Sequence, residues 1–321
     1  MTDYIPVLHG GTDLRADELD TIESAKSIAA ALVRLGYRSE VIALDIDFTV
    51  LETIAMTKPL AVFNLVESIR GDGRLGHLAC SLLQHFNLSY TGAGETAFFQ
   101  SNSKRLSKSL LRAANLPTPR EWRDMAAAGQ KVIVKSVNEH ASFGMDQQSI
   151  VEGHEAEEEI ARREKEFGGR FFAEAYIPGR EFNISMVETK KGPMVLPIAE
   201  MRFDGLPEGT YPIVDYAAKW DEESDVYHHT RRRFGLEARE PDLASELSRI
   251  CVDCWYAADL SGYARVDFRV DPAGRIYILE YNANPCLAPD AGFAAALSKA
   301  DMSYEDGIQM IVEAALAKGL N

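Results

Sequence analysis

Four polar side chains in the segment 262–285 have the residue types and the spacing of a site for a metal ion and an anion. Asp271-Pro-Ala-Gly274 is typical of a type I turn, which predicts a hairpin made by the two flanking β-strands. Because side chains alternate between the two faces of a strand, one face carries four chemically useful groups: Arg265, Asp267, Glu280 and Asn282. Arg269 and Ile278 are predicted to share this face.

The register of the hairpin decides how closely these groups meet. Pairing of the residues that flank the turn predicts three opposed pairs: Val270–Arg275, Asp267–Ile278 and Arg265–Glu280. Opposed side chains lie about 5 Å apart and diagonal ones about 7–8 Å, so the four groups should converge. Two carboxylates and a carboxamide oxygen suit Mg²⁺ beside phosphates, and an adjacent guanidinium could stabilise developing negative charge. The structural alternative is a simple Arg–Glu pair on a solvated face.

Other residues fit a nucleotide site. Three lysines lie at the ends of predicted elements or in a loop: Lys104, Lys135 and Lys219. A lone lysine is usually a solvated charge, so each is a weak signal by itself. The segment 174–181 could offer backbone hydrogen bonds to a purine, with Glu181 accepting from ribose hydroxyls. The small-residue loop 141–144 could place backbone N–H groups on phosphate, although it is not a Walker A loop.

The elements that position these residues change in type along the chain. Residues 1–95 alternate short apolar strands with helices, which is typical of a parallel α/β layer, and Asp20-x-x-Glu23 predicts a helix start. Residues 96–175 and 176–321 are predicted to form two further units that mix helices with strands and hairpins. The polar, irregular stretch 205–223 has the length of a functional lid. The predicted fold class is α/β (α+β).

Composition and charge exclude several classes of protein. With 46% hydrophobic and 26% charged residues, the 321-residue chain is typical of a globular protein of two or three units. The net charge of −15 argues against nucleic-acid binding. No apolar run reaches the roughly 18 residues of a membrane span, and the N-terminus lacks a signal-peptide pattern. The 4 cysteines indicate no disulfide framework, so we expect a cytoplasmic enzyme with no membrane or nucleic-acid partner.

Taken in chain order, these segments resemble the ATP-grasp enzymes, and specifically the D-alanine–D-alanine ligase family. The resemblance covers nearly the whole chain, and its specificity comes from the joint order of these motifs: His9-Gly10-Gly11, Gly71-Asp72-Gly73, Tyr90-Thr91-Gly92, Ser103-Lys104, Val134-Lys135, Ser142-Phe143-Gly144, Glu174-x6-Glu181, Asp215-Tyr216-x2-Lys219, Arg265-x-Asp267 and Glu280-x-Asn282. It implies an ATP-grasp fold, with a parallel-sheet pre-ATP-grasp domain over 1–95 and two ATP-grasp subdomains over 96–175 and 176–321. ATP would lie between the two subdomains.

The resemblance also implies a role for each site residue. Phosphate contacts are assigned to Lys104, Lys135, Lys219, Ser142, Phe143 and Gly144. Adenine contacts are assigned to the backbone of Glu174, Ala175 and Ile177, and ribose contacts to Glu181. Two Mg²⁺ ions, replaceable by Mn²⁺, would be held by Asp267, Glu280 and Asn282. The predicted catalytic residues are Arg265, Lys219 and Ser142, and the implied assembly is a homodimer.

The part of the pattern that concerns the substrates departs from the family. Family residues are replaced at four positions: Ala141, Trp220, Cys286 and Ala291. The acidic residue of the N-terminal loop is assigned to Asp17 or Glu23, and Cys286 is either a reactive thiol or a small buried filler. We expect an ATP-dependent carboxylate–amine ligase that forms a dipeptide through an acyl phosphate, acting on small amino-acid or carboxylate substrates. The alternatives are a biosynthetic ligase for other amino acids or carboxylic acids, and a nucleotide-binding protein without catalysis.

Overall fold

The structure is a computed structural model that describes residues 3–10, 16–125, 129–139, 142–221 and 223–318, with the side chains of 16–18 and 220 excepted. The strands in this part of the chain are β1 Val7–His9, β2 Val41–Ala43, β3 Phe63–Asn64, β4 Lys131–Ser136, β5 Ile150–Glu152, β6 Phe171–Ala175, β7 Arg180–Thr189, β8 Gly192–Val195, β9 Ala199–Phe203, β10 Thr230–Arg233, β11 Tyr263–Val270 and β12 Ile276–Asn282. The α-helices are α1 Ala16–Arg34, α2 Thr49–Thr57, α3 His77–His85, α4 Glu95–Ser101, α5 Lys104–Ala113, α6 Ala156–Phe167, α7 Tyr216–Trp220, α8 Asp225–His229, α9 Leu236–Arg239, α10 Pro241–Ala257, α11 Gly292–Lys299 and α12 Tyr304–Lys318.

The first sheet is parallel, with β1 between β2 and β3. Val7 and Leu8 of β1 are fully buried, as expected for a parallel strand that is covered on both faces. This arrangement confirms the predicted parallel α/β layer. Helix α1 begins at Ala16, so the predicted start near Asp20 is wrong. Acidic residues are favoured throughout the first turns of a helix because of its dipole, so an acidic motif alone does not mark the first residue.

The second sheet is small and antiparallel, with the order β5-β4-β6. Helix α6 covers one face, where Val132 and Val134 pack with Phe171 and Ala173. Residue Glu152 ends β5, and residues 153–155 form a 3₁₀ turn before this helix. This sheet carries Lys135 on β4 and Glu174 on β6.

The third sheet has the order β10-β9-β7-β11-β12, and β8 pairs with the remaining length of β7. All of these pairings are antiparallel. One face packs on α10 through a core that includes Val266, Phe268 and Leu247. The opposite face carries the polar residues of the predicted site. A sheet of this kind, apolar on one face and polar on the other, is common among antiparallel sheets.

The hairpin of β11 and β12 forms as predicted, but its register is different. The amide of Gly274 donates to the Asp271 carbonyl at 2.9 Å, and Gly274 has a φ of +79°. A turn followed by a left-handed residue makes a three-residue loop, so Val270 pairs with Ile276 rather than Arg275. The register shifts again at Leu279, because Phe268 pairs with Ile278 but Asp267 pairs with Glu280. The observed site pairs are therefore Asp267–Glu280 and Arg265–Asn282.

The β-bulge at Leu279 explains why the predicted face was only partly right. A bulge places two residues of one strand opposite one residue of its partner. Leu279 consequently lines the cavity described below, and Ile278 is buried in the apolar core instead of sharing a face with Glu280. The predicted pairs Asp267–Ile278 and Arg265–Glu280 are wrong, whereas the convergence of the four polar groups is preserved.

Helices α11 and α12 return to the N-terminal layer. Phe293 and Ile311 pack in one cluster with Ile28 and Phe63, which joins residues from both ends of the chain. The limits 1–95, 96–175 and 176–321 stay predictions. In the part of the chain that the structure describes, no helix combines the length and the apolarity that a membrane crossing needs.

Candidate active site

One cavity of about 680 Å³ collects almost all the residues singled out from the sequence. Its wall includes Lys104, Lys135, Ser142, Phe143, Glu174, Ala175, Ile177, Glu181, Lys219, Arg265, Asp267, Glu280 and Asn282. Gly144 is not part of the wall. Its carbonyl instead accepts a hydrogen bond from Arg163 of α6, so it anchors the loop from behind. The second and third sheets contribute opposite sides of this cavity.

Asp267 accepts four side-chain hydrogen bonds in the cavity wall. Arg265 donates to it twice, from Nε to Oδ1 at 2.8 Å and from Nη2 to Oδ2 at 2.9 Å. Asn183 Nδ2 donates to Oδ1 at 2.8 Å, and Asn282 Nδ2 donates to Oδ2 at 3.3 Å. Burial lowers the pKa of Arg265, but Asp267 and Glu280 outweigh it and hold that pKa above its ordinary value. The carboxylate and the guanidinium thus form a charged unit in the cavity wall.

The chemistry of this corner suits a hard divalent cation. Asp267, Glu280 and Asn282 offer two carboxylates and one carboxamide, the oxygen ligands that Mg²⁺ prefers beside phosphates. Among the described residues there is no group of three His, Cys, Asp or Glu side chains placed to hold a metal. A cation at this corner would therefore need the Asn282 carboxamide and ligand or water oxygens as well. The donor set fits Mg²⁺ on these terms.

A buried ion triad lies beneath the side of the cavity where phosphate contacts are predicted. Glu174 is fully buried between Lys108, at 2.6 Å, and Lys135, at 2.9 Å. Lys108 also donates to the Leu279 carbonyl at 2.8 Å and to Thr118 at 3.0 Å, which ties α5 to the bulge of the hairpin. Both carboxylate oxygens of Glu174 therefore face lysines.

The triad also controls protonation. Burial raises the pKa of Glu174, but the two lysines outweigh this effect and hold it below its ordinary value. Burial lowers the pKa of Lys108, and Glu174 offsets only part of that shift. For Lys135 burial acts in the same sense, but Glu174 and Glu280 outweigh it and raise the pKa. Lys135 is therefore the more securely charged of the two lysines and the one that lines the cavity.

Lys104 and Lys219 approach the same corner from other directions. Lys104 begins α5, donates to the Glu139 carbonyl at 2.6 Å and lies 3.6 Å from Glu280. Lys219 lies on α7, and within the described residues its ammonium forms no hydrogen bond or ion pair. Burial, followed by the charge of Arg265, lowers the pKa of Lys219. An ammonium held in this way is suited to an incoming anion such as phosphate.

The predicted lid is docked on the second sheet. Ser142 Oγ donates to the Val214 carbonyl at 2.8 Å, and Gln147 accepts from the Tyr211 amide at 2.7 Å. Asp215 caps α7 through the Ala218 amide at 2.9 Å, which fixes the helix that carries Lys219. The stretch 205–223 is therefore not irregular throughout, since α7 lies inside it. Its backbone covers the cavity beside the loop that begins at Ser142.

The segment after β6 runs along the predicted adenine side. The amide of Ala175 donates to the Arg120 carbonyl at 2.9 Å, and the amide of Tyr176 donates to the Lys131 carbonyl at 3.0 Å. Glu181 is held by Arg269, whose Nη2 lies 2.8 Å from Oε2. Arg269 also donates to the carbonyls of Ile177 and Pro212, so it links this segment to the lid.

Glu23, one of the two candidates for the N-terminal carboxylate, lies away from the cavity. Glu23 is exposed and pairs with Lys26 at 2.6 Å, and it does not line the cavity. The side chains of Asp17 and Trp220, together with residue Ala141, lie outside what the structure describes. Asp20 lines the cavity instead and accepts a hydrogen bond from Cys286 Sγ at 3.1 Å. Burial, followed by the charge of Asp20, raises the pKa of the Cys286 thiol to about 12.

Sequence reasoning missed Lys108, Asn183 and Asp20 as residues of the site. For Lys108 a signal existed, because it follows Lys104 by one helical turn. Arg269 was predicted to lie on the face of Arg265 and Asp267, but it was given no role. Asn183 and Asp20 meet the site only through tertiary packing, and no local pattern marks them.

Fold and site together define an ATP-grasp protein. The chain resembles the crystal structure of a D-alanine–D-alanine ligase from Bacillus anthracis complexed with ATP. The TM-score is 0.75 at 20% sequence identity, and the comparison covers 98% of each chain. The family model described as D-ala D-ala ligase C-terminus matches residues 117–313, and the chain therefore belongs to that family. Relatives named D-alanine–D-alanine ligase include one from Halorhodospira halophila, 29% identical over 97% of this chain and 96% of that protein, and one from Thermotoga petrophila, 27% identical over 98% of each.

Proposed function

We propose that the protein is an ATP-dependent carboxylate–amine ligase that forms a dipeptide through an acyl phosphate and releases ADP and phosphate. The observation that carries this proposal is the convergence of three lysines on two carboxylates in a single cavity: Lys104, Lys135 and Lys219 with Asp267 and Glu280. Membership of the D-ala D-ala ligase family supports a peptide-type bond as the product. D-Alanine, which the relatives' names mention, is the first substrate to test.

In the first step an oxygen of the substrate carboxylate attacks the γ-phosphorus of ATP, and the bond to ADP breaks. This reaction depends on alignment and on neutralising phosphoryl charge. Lys135 is fixed by Glu174, and α7 brings Lys219 to the same corner. Mg²⁺ held by Asp267, Glu280 and Asn282 would neutralise phosphate oxygens when bound. The docked lid would keep water from the acyl phosphate, which water hydrolyses.

In the second step the free amine of the other substrate attacks the acyl carbon, the C–N bond forms, and the C–O bond to phosphate breaks. The carbonyl oxygen carries negative charge in between, and Arg265 is the cation proposed to stabilise it. Its two hydrogen bonds to Asp267 hold the guanidinium in a fixed orientation. Asp20 is proposed to bind the ammonium of the first substrate in place of Asp17 or Glu23, because it lines the cavity.

Several finer points are proposals on the same basis. Two Mg²⁺ ions, with Mn²⁺ as a substitute, would bind at the Asp267 corner. The protein would act in the cytoplasm as a homodimer. Glu181 would accept hydrogen bonds from ribose hydroxyls through Oε1, because Arg269 donates to Oε2.

The test is ATP turnover with a panel of D- and L-amino acids and simple carboxylic acids, followed by phosphate release and by mass spectrometry of the product. We expect amino-acid-dependent release of ADP and phosphate together with a dipeptide mass. ATP that binds but is not consumed with any panel member, alone or in pairs, would favour the non-catalytic alternative. A product other than D-alanyl-D-alanine would identify the biosynthetic alternative.

A further inference from the structure

Two arginines at the mouth of the cavity have no acidic partner among the residues that the structure describes. Arg231 and Arg232 lie on the edge strand β10, are exposed and line the cavity. Arg231 Nε donates to the His228 carbonyl at 3.2 Å, and Arg232 Nη1 donates to the Asp290 carbonyl at 2.9 Å. Within the described residues neither guanidinium forms an ion pair with a carboxylate. Both retain N–H groups that these backbone contacts do not use.

Two arginines on other strands of the same sheet and one on helix α9 do have acidic partners. Arg180 pairs with Glu200 at 2.8 Å, Arg202 with Asp204 at 2.6 Å, and Arg239 with Glu200 at 3.1 Å. Deeper in the cavity, Arg265 is bound to Asp267. Although carboxylates outnumber cationic side chains in this chain of net charge −15, these two guanidiniums at the cavity mouth form no ion pair in the described structure. Their charge is available to a ligand rather than to the fold.

Arg231 and Arg232 line the cavity close to the segment 290–292. Arg232 bonds the carbonyl of Asp290, one residue before Ala291, whose methyl group cannot donate a hydrogen bond. Asp290, Ala291 and Gly292 line the same mouth, together with Tyr227 and Thr230. The Asp290 carboxylate forms no ion pair with either arginine in the described structure. The lysines and the Asp267 corner serve the phosphates, so this mouth is left for the amine substrate.

We propose that Arg231 and Arg232 recognise an amine substrate that carries a carboxylate in addition to its α-carboxylate, as an acidic amino acid does. The inference rests on the proposed ligase function and specifies the substrate class of its amine site. Guanidiniums bind carboxylates through two parallel hydrogen bonds, and two guanidiniums can bind two carboxylates. A substrate with a methyl side chain would leave one of them without a partner.

The experiment compares isosteric substrates. Aspartate and asparagine, and glutamate and glutamine, are supplied as amine substrates in both enantiomers, with phosphate release and product mass as readouts. We expect kcat/KM for the acid to exceed that for its amide by about tenfold or more, a typical effect of one charge-assisted contact. The variant Arg231→Ala/Arg232→Ala should lose this preference through a higher KM with little change in kcat. Arg231→Lys/Arg232→Lys should restore part of it.

The matched control is Arg233→Ala, because Arg233 is exposed on the same strand but does not line the cavity. It should keep the wild-type preference. Equal use of acid and amide by the wild type, or an unchanged preference in the double alanine variant, would overturn the inference and leave the ligase function standing. If no substrate releases phosphate, the ligase proposal itself fails, and calorimetry of aspartate and asparagine with the ADP-loaded protein decides the arginine assignment. Equal or absent binding there would reject it.

Discussion

Arg265 holds both carboxylate oxygens of Asp267, two residues along the same strand, at 2.8 and 2.9 Å. With Asn183 and Asn282 donating as well, Asp267 is fully hydrogen-bonded before any ligand enters. A divalent cation at this corner must therefore displace or share those bonds. The two hydrogen bonds hold these opposite charges side by side. The Asp267 carboxylate would orient the cation, and the Arg265 guanidinium would stabilise the oxyanion.

Asp267→Asn and Glu280→Gln should each reduce ATP turnover by a factor of about 10³ or more, because each removes a charge that neutralises phosphate. Phosphate release at saturating ATP and Mg²⁺ measures this effect. The matched control is Asp253→Asn on the outer surface of α10, where Asp253 pairs with Arg249 at 2.5 Å and does not line the cavity. Turnover within twofold of wild type in both site variants would contradict the assignment of this corner.

Lys219 should set the alkaline limit of activity. Because burial and Arg265 lower its pKa below 10.5, the ammonium loses its proton as pH rises through that lowered value, and activity should fall with it. Lys219→Arg keeps the charge at high pH, so its activity should decline at a more alkaline pH than that of the wild type. Profiles of kcat/KM between pH 6 and 10.5 test this. Superimposable alkaline limbs would assign the titration to another group.

The triad of Glu174 with Lys108 and Lys135 should be a main source of stability. Glu174→Gln leaves two buried ammonium groups without their carboxylate, and we expect the free energy of unfolding to fall by about 3–5 kcal/mol at pH 7. Urea unfolding measures the loss. Lys108→Met combined with Glu174→Gln should be less damaging than the sum of the single changes, because the partners are coupled.

The same carboxylate should give the stability a defined pH dependence. The pKa of folded Glu174 lies below its ordinary value of 4.5, so its contribution is complete above pH 4.5 and is lost as pH falls through the folded value. The difference between wild type and Glu174→Gln should therefore shrink between pH 5 and the acid limit of the folded state. A difference that stays constant over that range would show that the charge of Glu174 is not the cause.

Cys286 should react slowly with alkylating reagents. A pKa of about 12 leaves roughly one thiol in ten thousand ionised at pH 8, and the thiolate is the nucleophile. Asp20→Asn removes a neighbouring charge that raises this pKa, so labelling should accelerate while burial keeps it slow. Mass spectrometry after iodoacetamide treatment measures the rate, with Cys286→Ala as the background for the buried Cys80, Cys251 and Cys254. Complete modification within minutes would support the reactive-thiol alternative.

Much of the site could be predicted because its residues lie on strands, where side-chain direction follows from alternation. Arg265, Asp267, Glu280 and Asn282 were expected on one face, and they meet in one cavity wall. The opposed pairs were wrong, because a left-handed Gly274 and the extra residue Leu279 each shift the register by one position. Such shifts depend on how the loop closes and how the strand packs. The alternation of polar and apolar residues determines neither of these.

Residues that reach the site across the fold were beyond a local pattern. Asp20 was assigned to a helix cap, but it lies one turn inside α1 and faces Cys286, 266 positions along the chain. Asn183 meets Asp267 because β7 and β11 are neighbours in the third sheet. Pairings between distant segments follow from tertiary packing, so the spacing of residues in the sequence does not predict them. The parallel N-terminal layer, by contrast, was predictable because its buried strands and helices are local features.

In the described structure, strand β10 lies at the edge of its sheet and pairs with β9. Side chains on an edge strand can be substituted without disturbing the strands that carry Asp267 and Glu280, because those strands lie at the other end of the sheet. If Arg231 and Arg232 select the amine substrate as proposed, natural variation in amine preference among related proteins should concentrate on Thr230–Arg233 and spare the proposed phosphate site. The same separation makes this strand a place where a new acceptor could be introduced by directed evolution without rebuilding the catalytic centre.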